Sequence, residues 1–414
     1  MSSKKQSISR WYTYLSAASA LLLTITILRY PEVAFTASLE GLKIWFDIVL
    51  PALLPFFAMS EILMGLGVVH FIGVLLEPFM RPLFRIPGVG AFAVAMGLAS
   101  GYPIGAKITA QLRREDLCTG VEGERLVSFA NTADPLFMVG AVAIGMFGIQ
   151  EIGWTIAAAH YLSVVIVGFL MRFTPEKDPP AVRSAIPSGQ GNILSRAFRT
   201  LEEARIRDGR SFGQLFGDAI RETFSSMLFI GGCIMIFSVL GRILDVSGVT
   251  EALQNFLAVL FRSFAINDAI IPPLIRGIIE ITIGCEAISQ ANASLLLRTV
   301  VASFIIGWSG LSVHAQVATM IRGTDIRMGP YIIARALHGL LAAAMTLVLW
   351  RPVAAMAASG LPIPLMLGLG EASFVARLGI SIKTAIVTTG FLAGSGLILN
   401  IARNVRVIFI RIRP

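Results

Sequence analysis

Apolar residues run along this chain in blocks of about 20, the length at which a helix spans a bilayer, broken at a few sites by glycine, proline and lone polar residues. Trp11–Leu28, Leu42–Gly67, Trp154–Met171, Ala219–Leu244, Tyr331–Trp350 and Ile382–Ile401 are predicted spans, with Pro51 and Pro55 kinking the second. His70–Arg85 and Thr250–Arg262 are amphipathic and are predicted to lie at the membrane surface. Four blocks are broken. Residues 89–112 read as helix on both sides of Gly101, Tyr102 and Pro103, and 126–150 is interrupted by Asn131-Thr132-Ala133-Asp134-Pro135. The block 268–290 breaks near Glu280 to Glu286, and 295–320 at Gly307–Gly310. Proline removes a backbone donor and glycine is costly inside a helix. A break at membrane depth strands N–H and C=O groups, so it persists only when buried in protein or lining a polar cavity.

The breaks come in two sets at corresponding places, which points to the binding site of a transporter. Short matches recur in the same order: Leu83-Phe84-Arg85 with Leu260-Phe261-Arg262, Ile104-Gly105 with Ile283-Gly284, and Ser128-Phe129 with Ser303-Phe304. If 89–112 and 268–290 are re-entrant hairpins, arms of about 11 residues reach roughly 16 Å, half the hydrocarbon thickness. Threading the chain with its N-terminus in the cytoplasm then places 1–10, 81–85, 113–125, 172–217, 322–335 and 403–414 inside. Those segments hold 23 of the 34 Lys and Arg residues, as the positive-inside rule requires. The two repeats come out inverted, and both termini cytoplasmic. The predicted organisation is an anchor helix at 1–40, a first repeat at 41–171, a cytoplasmic linker at 172–217, a second repeat at 218–350, and a C-terminal segment at 351–414 with the last span. Residues 351–380, rich in Pro, Gly and Ala, are not placed. The expected fold is an all-α polytopic membrane protein, two inverted repeats each with a re-entrant hairpin and a broken transmembrane helix.

Composition agrees: 55% of the 414 residues are hydrophobic and 14% charged, against about 25% charged in soluble domains. The net charge of +9 reads as cytoplasmic loop bias rather than a nucleic-acid surface. The N-terminal apolar stretch reads as a signal anchor without a cleavage pattern. Cys118, Cys233 and Cys285 show no paired spacing, the four histidines no metal-ligand spacing, and no catalytic or nucleotide-binding motif occurs. No enzyme, cofactor or metal is expected.

The four interruptions, Ser100–Lys107, Asn131–Pro135, Glu280–Glu286 and Trp308–Gln316, are expected to converge near the midplane, where half-helix N-termini favour anions. Lys107 reads either as a ligand for an anionic substrate or as the structural partner of Asp134 or Glu286. Asp134, beside Pro135, reads as a helix cap, as a substrate or cation ligand, or as both. Glu280 reads as a proton or sodium site, or as a carboxyl paired with Arg276 four residues earlier on one helix face. Thr282, Ser309 and Ser312 are site hydroxyls or back-bond to helix carbonyls. Tyr102 is a stacking surface for an aromatic substrate or filler, and His314 a packed or gating residue.

The segments SGYPIGAK, NTADP and EITIGC, set in two apolar halves around a basic linker, resemble the YlbJ (SpoVV) sporulation integral membrane proteins. That family belongs with the nucleoside-recognition or Gate domain proteins and is distantly similar to concentrative nucleoside transporters. The resemblance covers roughly 40–350. It implies a role in spore formation, in the outer forespore membrane facing the mother cell, moving dipicolinic acid towards the forespore and supporting cortex maturation. Carried over by position, it implies a site at Ser100, Gly101, Tyr102, Pro103, Gly105 and Lys107, at Asn131, Thr132 and Asp134, at Thr282, Gly284 and Cys285, and at Ser309 and Ser312. The first hairpin lacks the acidic residue of the nucleoside transporters and has Lys107 nearby, which favours a dianion over a nucleoside. The function expected is transport of a small anionic aromatic metabolite. The alternatives are a non-transporting scaffold or gate that recruits partners during spore envelope formation, and a nucleoside transporter. The bilayer and a small-molecule substrate are the expected partners; a coupling proton or sodium ion and a homo-oligomer are left open.

Overall fold

The computed structural model describes residues 14, 17, 18, 20–175, 192–262 and 267–358. The predicted span Ile382–Ile401, the part of 351–380 past Ala358, the middle of the linker and a third of Trp11–Leu28 lie outside these residues. Among the described residues all regular structure is helical.

The helix expected from Leu42 begins earlier. After α1 (Ala20–Arg29), α2 (Pro31–Ile44) continues through a π turn at Trp45–Val49 into α3 (Leu50–Gly65). Pro31 opens the helix where its missing N–H has no partner to lose. The π turn ends two residues before Pro51, which cannot serve the carbonyl four residues back. Gly67, at φ +82°, turns the chain into α4 (Val68–Phe79).

A hairpin follows, α5 (Gly90–Ser100) and α6 (Ile104–Arg114), with its break at Gly101–Pro103. Gly101 takes φ +66°, a conformation open to glycine, and the Tyr102–Pro103 peptide is cis. The charge density of Arg113–Arg125 predicts a short polar loop, but the stretch is helical at both ends. α7 (Gly120–Ala130) starts inside it, opened by a capping box in which the Thr119 hydroxyl accepts from the Glu122 N–H and the Glu122 carboxylate accepts from the Thr119 N–H. Glu122, Glu124 and Arg125 are consequently buried on a helix. The chain is then non-helical over Asn131–Asp134, and Pro135 leads into a π-helical segment, Phe137–Met146, followed by α8 (Gln150–Met171).

In the linker region α9 (Ile193–Asp208) packs on α4, with Arg196 paired to Glu77 and Phe198 against Phe71. α10 (Phe212–Val246) begins within the stretch assigned to the linker and, at 35 residues, is about 52 Å long, well beyond the hydrocarbon thickness. After α11 (Val249–Arg262) comes the second hairpin, α12 (Ile271–Ile279) and α13 (Ile281–Ser289), separated by Glu280 alone. α14 (Leu295–Trp308) and α15 (Gly310–Met320) form the second broken helix, and α16 (Met328–Ala358) crosses behind it. Among the described residues, five helical segments are long and apolar enough to span a membrane: Pro31–Gly65, Gln150–Met171, Phe212–Val246, Leu295–Met320 and Met328–Trp350. Phe35, Phe46, Leu228, Ile236, Leu340 and Val348 project outward from them, as lipid-facing positions must.

The core lies where α8, the π segment, α13 and α14 meet, around Met138, Ala141, Ile156, Cys285, Ile288, Ala302 and Ile305. Small residues let helices approach, as is usual in membrane bundles. A Cβ on Gly307 would stand 2.6 Å from Cα of Gly339, bringing α14 against α16. In the hairpins, a Cβ on Gly97 or Gly105 would collide with the Ala130 carbonyl oxygen, and one on Gly284 with Cα of Gly277.

Candidate functional site

Each helix break leaves carbonyls that the next turn would have served, and side chains take them up. The Ile306 carbonyl, near the end of α14, accepts from the Tyr102 hydroxyl (2.9 Å) and from Arg335 (3.3 Å). The Asn131 carbonyl, at the end of α7, accepts from Arg335 (3.3 Å). Tyr161 donates to the Ala133 carbonyl, Trp308 Nε1 to Ile278 at the end of α12, and Ser60 to Ala99 at the end of α5. Arg335 also donates to the Tyr102 hydroxyl at 3.1 Å and lies 5.6 Å from the Tyr102 ring centroid. Asn131 donates through Nδ2 to the Tyr331 hydroxyl at 3.0 Å. A buried polar knot thus joins the first hairpin tip, both broken helices and α16.

The N-terminal ends of the same breaks fall into two kinds. Asp134 Oδ1 accepts from the Leu136 and Phe137 N–H groups, both at 2.9 Å, and so caps the π segment. Its other oxygen faces Gly101, where a Cβ would lie 2.5 Å away. Glu280 caps α13 by accepting from the Ile283 N–H at 2.8 Å, and Ser312 of α15 reaches its second oxygen at 3.4 Å. The helices α6 and α15 pack on each other, and neither carries a side-chain cap at its N-terminus.

Several expected partners are not the ones observed. Glu280 does not pair with Arg276: α12 ends at Ile279, so the i, i+4 face never forms, and Arg276 lies 3.8 Å from Asp245 instead. Glu280 is 3% exposed and lines a pocket between α2, α10 and α12 with an empty volume of about 390 Å³, open solvent included, whose wall carries Arg242, Asp245 and Arg276. Lys107 pairs with neither Asp134 nor Glu286. It sits on the exposed face of α6, within electrostatic reach of Glu61, while Glu286 hydrogen-bonds Gln290.

The remaining predicted residues divide by surroundings. Ser309, at φ +70°, donates to the Trp308 carbonyl, and Thr282 lies against the Glu280 carboxylate. Ser100 pairs with Ser60 at 3.0 Å, and Thr132 with His160 at 2.6 Å. Gly105, Gly284 and Cys285 pack in helix interfaces, Cys285 fully buried in the core, and Pro103 precedes α6. His314 packs against Trp308 in a tilted contact at 4.3 Å and bonds the Gly310 carbonyl.

Arg335 escaped the sequence reading, which counted it among cytoplasmic loop charges. It is 0% exposed, two turns into α16. A signal was present: Tyr331, Arg335 and His338 recur at i, i+4 and i+7 on one face, and all three are fully buried. His338 bonds the His160 carbonyl and packs against that ring, with centroids 4.4 Å apart and planes inclined at 48°.

Residues 46–173 match the Gate family model, described as nucleoside recognition. An uncharacterized protein of Alkalihalophilus pseudofirmus is 29% identical over 184 residues, 43% of this chain and 38% of that protein. Among solved structures, CNTnw in an inward-facing substrate-bound state aligns with a TM-score of 0.45 at 14% identity, covering 81% of this chain and 86% of that one. A doubly substituted CNTnw in an outward-facing state aligns at 0.42 and 14%. The sporulation integral membrane protein YlbJ of Bacillus subtilis is 44% identical over 348 residues, 84% of this chain and 85% of that protein. With identity at that level over most of both proteins, the chain belongs to the YlbJ family of sporulation integral membrane proteins.

Proposed function

We propose that this protein is a secondary transporter of a small aromatic dicarboxylate, with dipicolinate as its test substrate, acting in a membrane of the sporulating cell. The observation that carries the reading is the unequal treatment of the four half-helix N-termini. Two are already occupied by the protein's own carboxylates, Asp134 and Glu280. The other two, at Ile104 and Gly310, belong to packed helices of different halves and carry no side-chain cap. Uncapped N–H groups and the positive dipole end suit a carboxylate, and two such ends on helices packed together suit a dianion. The inverted arrangement of the repeats and cytoplasmic termini complete this reading, on the strength of the charge distribution.

Glu280 is the coupling group in this scheme, exchanging a proton across the cycle: it is a carboxyl at a hairpin break, bordering a pocket and facing Ser312 of the second broken helix. Nucleoside transport is the second reading, favoured by the nucleoside-recognition description of the matched model. Uptake of labelled dipicolinate and of uridine into proteoliposomes under an imposed proton gradient tests both. Saturable dipicolinate uptake that uridine does not inhibit is expected; uridine uptake without dipicolinate uptake selects the second reading. In the same vesicles Glu280→Gln should keep counterflow exchange and lose uphill accumulation. Accumulation at the wild-type level removes Glu280 from coupling.

A further inference from the structure

Two half-helices, α7 and α14, end in the protein interior. A helix C-terminus carries roughly half a negative charge and unserved carbonyl oxygens. Brought close together away from water, two such ends demand a positive charge between them. In discontinuous membrane helices a bound sodium ion commonly supplies it, held by those carbonyls. Here Arg335 stands in that place. Its guanidinium bonds the Asn131 carbonyl of one end and the Ile306 carbonyl of the other, and its remaining partner is the hydroxyl and ring of Tyr102. Every one of these groups is neutral. Asp134 and Glu280, the carboxylates of the breaks, are engaged with backbone N–H groups and neither is paired with Arg335. Nε of Arg335 is buried without a partner.

A fully buried guanidinium without a carboxylate persists only where something else holds negative potential. The two dipole ends are that source. We infer that Arg335 is a tethered counter-cation, permanently filling the place at which the broken helices would otherwise recruit an alkali-metal ion, so that the site is held together without sodium or potassium. The stability part of this inference stands apart from the transport reading, whereas the uptake part rests on it.

The test uses the purified full chain in lipid nanodiscs, with thermal unfolding followed in sodium, potassium and choline chloride at equal ionic strength. The wild-type midpoint is expected to be the same in all three. A midpoint that rises selectively with sodium or potassium overturns the inference. Arg335→Lys, which keeps the charge, should retain more stability than Arg335→Gln, which keeps polarity without it; equal midpoints for the two overturn it as well. Arg335→Ala should unfold early in choline and regain stability, saturably, with sodium or with low guanidinium concentrations that leave the wild type unchanged. If the alanine variant does not accumulate, the lysine–glutamine comparison and the wild-type salt series decide. Wild-type uptake should likewise persist in choline, and failure of uptake in every salt with unchanged midpoints counts against the transport reading alone.

Discussion

Replacing Tyr102 by phenylalanine removes one oxygen and keeps the ring, which isolates what the hydroxyl does. That oxygen donates to the Ile306 carbonyl at 2.9 Å and accepts from Arg335 at 3.1 Å. The first bond is neutral and contributes about 1 kcal/mol net, while one to a charged donor contributes roughly 1.5–3 kcal/mol. Arg335 keeps the Asn131 and Ile306 carbonyls, so part of the second is recovered. The cation–π contact survives in phenylalanine, leaving a net loss on the order of 2 kcal/mol. Tyr102→Leu also discards the ring contact and should lose about 0.5–2 kcal/mol more. Reversible unfolding in mixed micelles measures both. Because Tyr102 and Arg335 share partners, Tyr102→Phe combined with Arg335→Lys should lose less than the two single changes added, with a coupling of roughly 0.5–3 kcal/mol. A loss below about 0.5 kcal/mol for Tyr102→Phe, or strict additivity with Arg335→Lys, would refute the account of Tyr102 as the tie between the first hairpin and the second broken helix.

Gly105→Ala should destabilise by about 1–3 kcal/mol or block accumulation, because its Cβ would meet the Ala130 carbonyl oxygen and stand 2.8 Å from the Asn131 nitrogen; an unchanged melting curve refutes that contact. Lys107→Gln, at an exposed position, should leave the midpoint within about 0.5 kcal/mol of wild type, so any loss of uptake in that variant reports on substrate handling rather than folding. Asp325 sits in the loop before α16, where hydrogen bonding by the Arg113 guanidinium holds its carboxyl below the usual carboxylate range. Its stabilisation is therefore full above the unfolded value near pH ~4 and is lost as pH falls through the folded value; the pair is exposed, so the effect is about 0.2–1 kcal/mol, and wild-type and Asp325→Asn midpoints should converge on acidification. Glu203→Cys, on the exposed face of α9, should react with an impermeant maleimide only in inside-out vesicles, and labelling in intact cells would reverse the proposed orientation.

The breaks were legible because they violate helix chemistry locally. Gly101, Tyr102 and Pro103 cannot continue α5, and the structure ends the helix there. What a linear reading missed depends on direction in space. Arg335 lies near the start of an apolar block, where an arginine ordinarily reports a cytoplasmic end; only its face on α16 shows that it points inward. Glu280 and Arg276 have the spacing of a helical pair, but one extended residue, φ −142° and ψ 126° at Glu280, turns the carboxyl onto α13 and leaves Arg276 to Asp245. The charge-dense run 113–125 looked solvated, yet Thr119 and Glu122 already stood at capping-box spacing, and Arg81 and Arg327 reach the buried Glu122 and Glu124 from elements distant in sequence.

These cross-connections bear on why broken helices survive at all. A break in one half is not satisfied only within that half. The Ile306 carbonyl of the second broken helix is served by Tyr102 of the first hairpin, and Asn131 of the first broken helix by Tyr331 and Arg335 of α16. At the loop ends the same exchange recurs: Arg113 holds Asp325, Arg114 the Met320 and Arg322 carbonyls, and Arg327 the buried Glu124. Separated from its partner, either half would leave polar groups unserved in an apolar interior, at several kcal/mol each in lipid. The two halves therefore stabilise each other's defects. In the proposed transport cycle, any motion that parts the first hairpin from the second broken helix must either carry the Tyr102–Arg335–Asn131 knot intact or replace its hydrogen bonds.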